Sequence, residues 1–275
     1  MEKAIRITGA EAYVISVMRR IPVLSHYATA RGWSFLISWG HRLAGLTLVA
    51  YMFAHLYTLS LLFHPATFDA DMRFLNNFVF TFLEWCVAIP VIFHALNGGR
   101  LILYEIFRMR EEQVAIRSMV ALGFIYIALV GFFFIEEAHQ ISATLFWSIT
   151  LAISIVALIL VLFKIWLTRN SLLWKLQRVT GAFMFPMLIG HMLFMHMNYL
   201  TGHDSKTILL RLESPFVRGM DFAFVILLLF HAGYGLFSII ADYIKPGPLL
   251  KATTLVIIIV MAISAFYGIR LIVAL

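Results

Sequence analysis

The chain has 275 residues, of which 62% are hydrophobic and only 13% are charged, whereas a soluble domain carries about 25% charged residues. This composition indicates an integral membrane protein. The net charge is +7, but the charged residues lie between apolar runs, which indicates a role in membrane topology rather than nucleic-acid binding. The single cysteine, Cys86, excludes an internal disulfide, a Cys-ligated iron–sulfur cluster and a cysteine-rich zinc site.

Residues 1–33 are basic and contain no short apolar core followed by a small-residue cleavage site, so we expect a retained cytoplasmic segment. A membrane-spanning helix needs about 20 apolar residues. The runs that meet this requirement lie at 34–63, 78–106, 118–135, 142–166, 176–200, 216–242 and 250–274. The sequence therefore predicts an all-α integral membrane protein of about seven transmembrane helices.

The lysine and arginine residues are distributed unevenly between the two ends of these spans. With seven spans, 16 of the 21 fall on the side that holds the N-terminus. Positive residues collect on the cytoplasmic side of membrane proteins. We therefore expect a multi-pass protein of a prokaryotic cytoplasmic membrane, with a cytoplasmic N-terminus and an external C-terminus.

The sequence also contains an internal repeat. Arg42 and Gly45 match Arg178 and Gly181 at an offset of 136 residues, and the segment around His94 matches that around His231 at an offset of 137. The pattern predicts two parallel three-helix repeats, related by a pseudo-two-fold axis along the membrane normal. The expected domains are 1–33 (N-terminal segment), 34–137 (first repeat), 138–168 (linker helix) and 169–275 (second repeat).

Four histidines fall inside spans in pairs that the repeat relates, and polar groups at such positions are costly and often functional. His94 and His231 lie from mid-depth to the cytoplasmic half, and His55 and His191 lie in the outer half. Two imidazoles facing each other at one level can be the axial ligands of a haem iron. We therefore expect b-type haem between each pair, two in all and one at minimum.

A third ligand near His55 and His191 would matter in two ways: zinc would need one in place of haem, and His196 could replace His191 as the haem ligand. Zinc would require a third or fourth ligand at the same depth, and the sequence pattern indicates none. His196 competes with His191, but five residues of α-helix rotate a side chain by about 140°, so the two should not face one haem. The repeat offset favours His191.

Arginine and glycine residues of the repeat suggest how an inner haem would be accommodated. Arg42 and Arg178, near the cytoplasmic face, could pair with haem propionates, although both also fit simple topological anchoring. Four glycines could let a flat macrocycle approach a helix backbone or could serve close helix packing. They are Gly45, Gly98, Gly181 and Gly235.

Three segments carry a resemblance to a known family. Ser38-Trp39-Gly40-His41-Arg42 resembles the Ser-x-x-His-Arg signature of the larger membrane subunit of succinate dehydrogenase. The segment from His94 to Arg100 resembles the haem-ligand segment of that subunit. The stretch from His231 to Pro246 resembles the haem ligand and Asp-Tyr-x-Lys-Pro quinone segment of the smaller subunit.

The resemblance covers roughly residues 25–250 and implies both anchor subunits fused through the fourth span, similar to the single-chain cytochrome b anchors of succinate dehydrogenases and fumarate reductases. It implies His94 and His231 as haem ligands. It also implies a quinone site, for ubiquinone or menaquinone, near the cytoplasmic surface, lined by Ser38, Arg42, Asp242 and Tyr243, and His41 is a further expected cofactor-binding residue. The chain departs from single-chain anchors, which usually have five spans.

The expected function is thus that of a haem b membrane anchor of a succinate:quinone oxidoreductase, not catalytic for succinate alone. It would carry electrons between membrane quinone and a flavoprotein and iron–sulfur subunit at the cytoplasmic face, in either direction. The cytochrome b anchor of a hydrogenase or nitrate reductase is an alternative that the Asp-Tyr-x-Lys-Pro segment disfavours. A parallel-repeat transporter is another alternative. If an outer haem exists, a second quinone site near the outer face becomes possible, and Glu136, Glu137 or His139 could carry protons to it.

Overall fold

The computed structural model of the chain describes residues 16–17, 20, 32–108, 112–136, 143–196 and 202–274, and the described residues contain no β-strand. A 3-10 turn, Leu61–Phe63, follows the first helix, and a π-helical segment, Met192–His196, follows the sixth. The α-helices are α1 (Gly32–Ser60), α2 (Pro65–Leu75), α3 (Phe78–Phe107), α4 (Glu112–Glu136), α5 (Ala143–Ile165), α6 (Leu172–His191), α7 (Ser205–Leu212), α8 (Pro215–Ala241) and α9 (Pro248–Ala274).

Six stretches of these helices are long and apolar enough to cross a membrane, within the residues described. They belong to α1, α3, α5, α6, α8 and α9, and α4 adds a shorter apolar stretch, Val114–Ala128. The predicted all-α membrane protein of about seven helices is confirmed. The predicted spans agree with the observed helices to within a few residues at most of their ends.

The long helices run alternately up and down between two ends of the bundle. An ion pair between Arg42 and Asp242 joins the start of α1 to the end of α8, and this side is called the Arg42 end. At the opposite side, called the Asp69 end, the Asp69 carboxylate accepts hydrogen bonds from Ser205. Most of the predicted segment 1–33, together with Glu137 and His139, lies outside the described residues.

Four helices form the centre of the bundle. Helix α1 packs on α3, α6 packs on α8, and the two pairs meet through α3 with α6 and α1 with α8. Helices α4, α5 and α9 pack outside this group against α3, α6 and α8 respectively. Large apolar side chains such as Phe78, Phe163 and Leu167 are exposed on the outer surface. Lipid is the solvent that suits such a surface.

Two short helices, α2 and α7, lie at the Asp69 end, in stretches between the predicted spans. Phe68 and Met72 of α2 are buried together with Ile208 and Leu212 of α7. Asp204 caps the start of α7, and hydrogen bonds from Thr207 hold the pKa of Asp204 below its usual range. These helices are half polar and too short to register as spans, which is why a search for apolar runs missed them.

Candidate functional site

Each central helix carries one of the four paired histidines. His94 of α3 and His231 of α8 lie with ring centroids 6.2 Å apart and ring planes at 86°. Both rings rest against a glycine on the neighbouring helix of their own half. A Cβ added at Gly45 would lie 3.2 Å from Cε1 of His94, and one at Gly181 would lie 3.2 Å from Cε1 of His231. The two halves thus hold their histidines in the same way.

Hydrogen bonds fix which nitrogen of each imidazole carries the proton. Nδ1 of His94 lies 3.2 Å from the carbonyl oxygen of His41, which can only accept, so Nδ1 is the donor. Nδ1 of His231 lies 3.3 Å from the Thr180 hydroxyl, whose own proton is donated to the carbonyl of Leu176. In both rings Nε2 is left with its lone pair, as metal-binding histidines require.

His41 and Gln177 occupy equivalent positions beside this pair. The His41 ring stacks on His94 with centroids 3.9 Å apart, and the Gln177 amide donates to the carbonyl of His231. Gly98 faces His41, and Gly235 faces Gln177. All four glycines of the repeat therefore accommodate a side chain of the neighbouring helix. Of the two roles expected for these glycines, the described contacts support close helix packing rather than approach of a macrocycle to the backbone.

The His94–His231 pair has the spacing of two opposed metal ligands. A metal–imidazole bond of about 2 Å places the centroids of two opposed rings about 6.4 Å apart. The observed 6.2 Å is close to that value. Nδ1 of His41 and Oε1 of Gln177 are also buried without a hydrogen-bond partner. Because buried polar atoms are rarely left unsatisfied, these two atoms suggest a space that a ligand completes.

Three of the predicted quinone-site residues meet at the Arg42 end. The Arg42 guanidinium donates to the Asp242 carboxylate at 2.5 Å and to the Tyr243 hydroxyl at 3.0 Å. The Trp39 ring lies 6.1 Å from that of Tyr243. Ser38 lies one turn before Arg42 on α1 and is exposed. The cluster is open at the bundle surface, with Tyr243 54% exposed.

Arg178, the repeat mate of Arg42, forms an equivalent ion pair. Its guanidinium lies 2.7 Å from the Glu105 carboxylate and 4.9 Å from the centre of the Trp174 ring. Glu105 precedes Asp242 by 137 residues, the offset already seen between His94 and His231. Both arginines predicted as propionate partners therefore already have a carboxylate partner. The Arg178 pair has no counterpart of Tyr243 among its described contacts.

A second histidine cluster lies about 15 Å further along α1, judged from the ten residues between Gly45 and His55. His55 and His191 have ring centroids 6.1 Å apart. His196 lies 5.6 Å from His55 and 5.4 Å from His191. One ligand atom from each of the three residues lies within 4.8 Å of the other two.

The expectation that His196 faces away from His191 is wrong, as is the expectation that no third ligand shares their depth. The rotation of about 140° holds for an α-helix, but Met192–His196 is π-helical. A π-turn closes between residues i and i+5, so residues five apart lie over each other. His191 and His196 therefore project to the same side.

Glu84 is a functional candidate that the sequence analysis did not select. Its carboxylate oxygen accepts a hydrogen bond from Nδ1 of His196. An acidic residue inside an apolar run is costly in a membrane and is by itself a signal of function. The repeat also marks this position, because Asp221 follows Glu84 by 137 residues, but the prediction from the sequence considered only the histidines.

Comparisons with known proteins show the family to which the chain belongs. The family model described as the succinate dehydrogenase/fumarate reductase transmembrane subunit matches residues 20–133 and 161–269. The succinate dehydrogenase 2 membrane subunit SdhC of Mycobacterium tuberculosis is 30% identical over 95 residues, which are 34% of this chain and 68% of that protein. No solved structure matches the chain. The chain belongs to the family of succinate dehydrogenase/fumarate reductase transmembrane subunits.

Proposed function

We propose that this chain is the membrane anchor of a succinate:quinone oxidoreductase, that it binds haem b between His94 and His231, and that it exchanges electrons with quinone at the Arg42 end. The observation that carries the proposal is the facing of these two imidazoles, 6.2 Å apart, on helices from different repeats. Zinc fits less well there, since among the described residues no third ligand completes a metal cluster with this pair.

The protein groups around the pair suit a haem. His94 and His231 would hold the haem iron, and the haem, when bound, would supply one-electron transfer at a potential that its ligands and its burial set. The hydrogen bonds from Nδ1 to the His41 carbonyl and the Thr180 hydroxyl orient the two rings. Arg42 and Arg178 stay our proposed partners for the propionates, which would compete with Asp242 and Glu105.

The quinone site is proposed around Arg42, Asp242 and Tyr243, with Ser38 and His41 nearby on α1. Reduction of a quinone to a quinol takes up two protons, so its carbonyl oxygens need hydrogen-bond donors and a route to water. Arg42 and the Tyr243 hydroxyl are donors, and the half-exposed Asp242 carboxylate can relay protons from solvent. A site at the bundle surface lets quinone enter from the membrane.

We propose that the Arg42 end faces the cytoplasm and binds the flavoprotein and iron–sulfur subunits. The charge distribution supports this orientation, because seven alternating spans predict 16 of the 21 lysine and arginine residues on that side. The two segments that match the family model lie on either side of most of α5, which supports a fused pair of anchor units joined by that helix. The same haem and quinone sites would also serve the reverse reaction, in which electrons flow from quinol to fumarate.

Removal of the chain tests the proposed function. In a strain that lacks it, succinate oxidation measured with an artificial dye should persist in the soluble fraction, whereas succinate-dependent quinone reduction in membranes should disappear. Restoring the chain should restore quinone reduction. Unchanged succinate:quinone activity in membranes without the chain would contradict the proposal, and hydrogen- or nitrate-linked quinone activity lost instead would favour the other cytochrome b anchors.

A further inference from the structure

In the cluster of His55, His191 and His196, three imidazoles offer ligand atoms close to one another, whereas His41 stacks on His94 without completing such a group among the described residues. One ligand atom from each lies within 4.8 Å of the other two. In a haem held by His55 and His191, each nitrogen would lie about 2 Å from the iron. The His196 nitrogen would then lie within about 4.4 Å of that iron, off the line that joins the other two nitrogens, where a flat macrocycle would have to lie. His196 and a second haem would therefore compete for the same space.

The ring spacings instead suit three ligands around one small ion. Three imidazoles at about 2 Å from a common ion, in trigonal or tetrahedral arrangement, place their centroids about 5.2 to 5.5 Å apart. The observed separations are 5.4, 5.6 and 6.1 Å. Two of the three thus lie near the expected range, and the third is longer by about half an ångström.

Glu84 supports the same interpretation from outside the cluster. Because its carboxylate accepts from Nδ1 of His196, it leaves Nε2 of that ring free to bind an ion. Metal-binding histidines commonly donate their other nitrogen to a carboxylate, which orients the ring and strengthens it as a ligand. Glu84 also contributes a negative charge where a cation would otherwise be costly in the membrane.

We propose that His55, His191 and His196 bind a single transition-metal ion, with Glu84 as the positioning residue for His196. A set of three imidazoles without a thiolate suits Zn²⁺, Ni²⁺ or Cu²⁺, and Zn²⁺ is the ion we commit to. Three protein ligands leave one coordination position for water or another ligand. The ion would join α1 to the π-helical end of α6, and so connect the two repeats at the end opposite to the quinone site.

Metal and haem content of the intact complex test this inference. The complex should be purified through an affinity tag without histidines, and its metals measured by mass spectrometry. We expect one zinc and one haem per chain. The His196→Ala variant should lose at least nine-tenths of the zinc and keep the haem. The Glu84→Gln variant should bind zinc about 10- to 100-fold more weakly. The control variant His64→Ala, which changes an exposed histidine, should keep both zinc and haem.

A second measurement on the unaltered sequence avoids dependence on the folding of variants. After chelation of zinc, Co²⁺ added to the complex should give the visible absorption of a four-coordinate nitrogen-ligated ion and should compete with added Zn²⁺. Two haems per chain without bound zinc, zinc that persists in His196→Ala, or absence of the Co²⁺ spectrum would each overturn the inference. Zinc without any haem would instead contradict the proposed function and leave this site standing.

Discussion

At the scale of single residues, the absence of a side chain at Gly181 positions the imidazole of His231. A Cβ at this position would lie 3.2 Å from Cε1 of a ring whose Nδ1 is hydrogen-bonded to Thr180. The ring could retreat only by weakening that bond. We predict that Gly181→Ala displaces His231 and lowers haem content per chain at least twofold, measured from the absorption spectrum of purified protein.

Gly219 provides the matched control. It also lies in a transmembrane helix, but an added Cβ would meet nothing within 4 Å. Alanine is the better helix former by about 1 kcal/mol, so Gly219→Ala should keep haem content unchanged. Equal haem content in both variants would contradict the assigned role of Gly181.

The two equivalent ion pairs allow a comparison that separates quinone chemistry from structure. Asp242 and Glu105 each pair with the repeat arginine, but only the Asp242 pair includes a tyrosine hydroxyl. We predict that Asp242→Asn lowers the rate of succinate-dependent quinone reduction tenfold or more, whereas Glu105→Gln changes it less than twofold. Both variants should keep the haem spectrum. Similar losses in the two variants would place the quinone elsewhere.

The histidine pairs themselves could be predicted from the sequence, because the repeat offset and the helical rise together set their depth. His231 and His94 meet as expected, and so do His55 and His191. The position of His196 could not be predicted. It depends on a local change from α- to π-helical hydrogen bonding, which alters the rotation per residue without any mark in the hydropathy pattern.

At the scale of elements, hydropathy predicted the spans but not α2 and α7. Long apolar runs are unambiguous because the bilayer core sets a minimum length. Signals for α2 were present, namely Pro65 at the first turn and apolar residues at Phe68, Met72 and Leu75. Contact with α7 and with the 3-10 turn buries Phe68 and Met72, and these contacts belong to the tertiary structure.

One carboxylate supports the apolar contact between α2 and α7. Asp69 accepts from the backbone N–H of Ser205 at 3.0 Å and from its hydroxyl at 2.8 Å, and Ser205 is buried. Removing an acceptor from a buried donor costs about 1 to 3 kcal/mol. We predict that Asp69→Ala lowers the thermal unfolding temperature of the detergent-solubilised protein by several degrees. Asp71→Ala, an exposed change on the same helix, should leave it unchanged, and equal behaviour of the two would refute the role of this contact.

At the scale of the whole molecule, the alternation of seven helices fixes which loops share a side, and the charge distribution predicts which side is cytoplasmic. After replacement of Cys86 by alanine, cysteine can be introduced at Arg73 near the Asp69 end or at Lys251 near the Arg42 end, both exposed. We predict that an impermeant maleimide labels Arg73→Cys in intact cells and labels Lys251→Cys only in inverted vesicles. The opposite pattern would reverse the proposed orientation and place the partner subunits on the other end.

The proposed electron transfer requires one haem held between the two repeats, and haem per chain in the purified complex measures this most directly. We predict one b-type haem per chain in the unaltered protein, visible in the reduced-minus-oxidised spectrum, and its loss in both His94→Ala and His231→Ala, while His64→Ala retains it. A complex without haem, or one that keeps its full haem content after either substitution, would contradict the proposal that His94 and His231 bind haem.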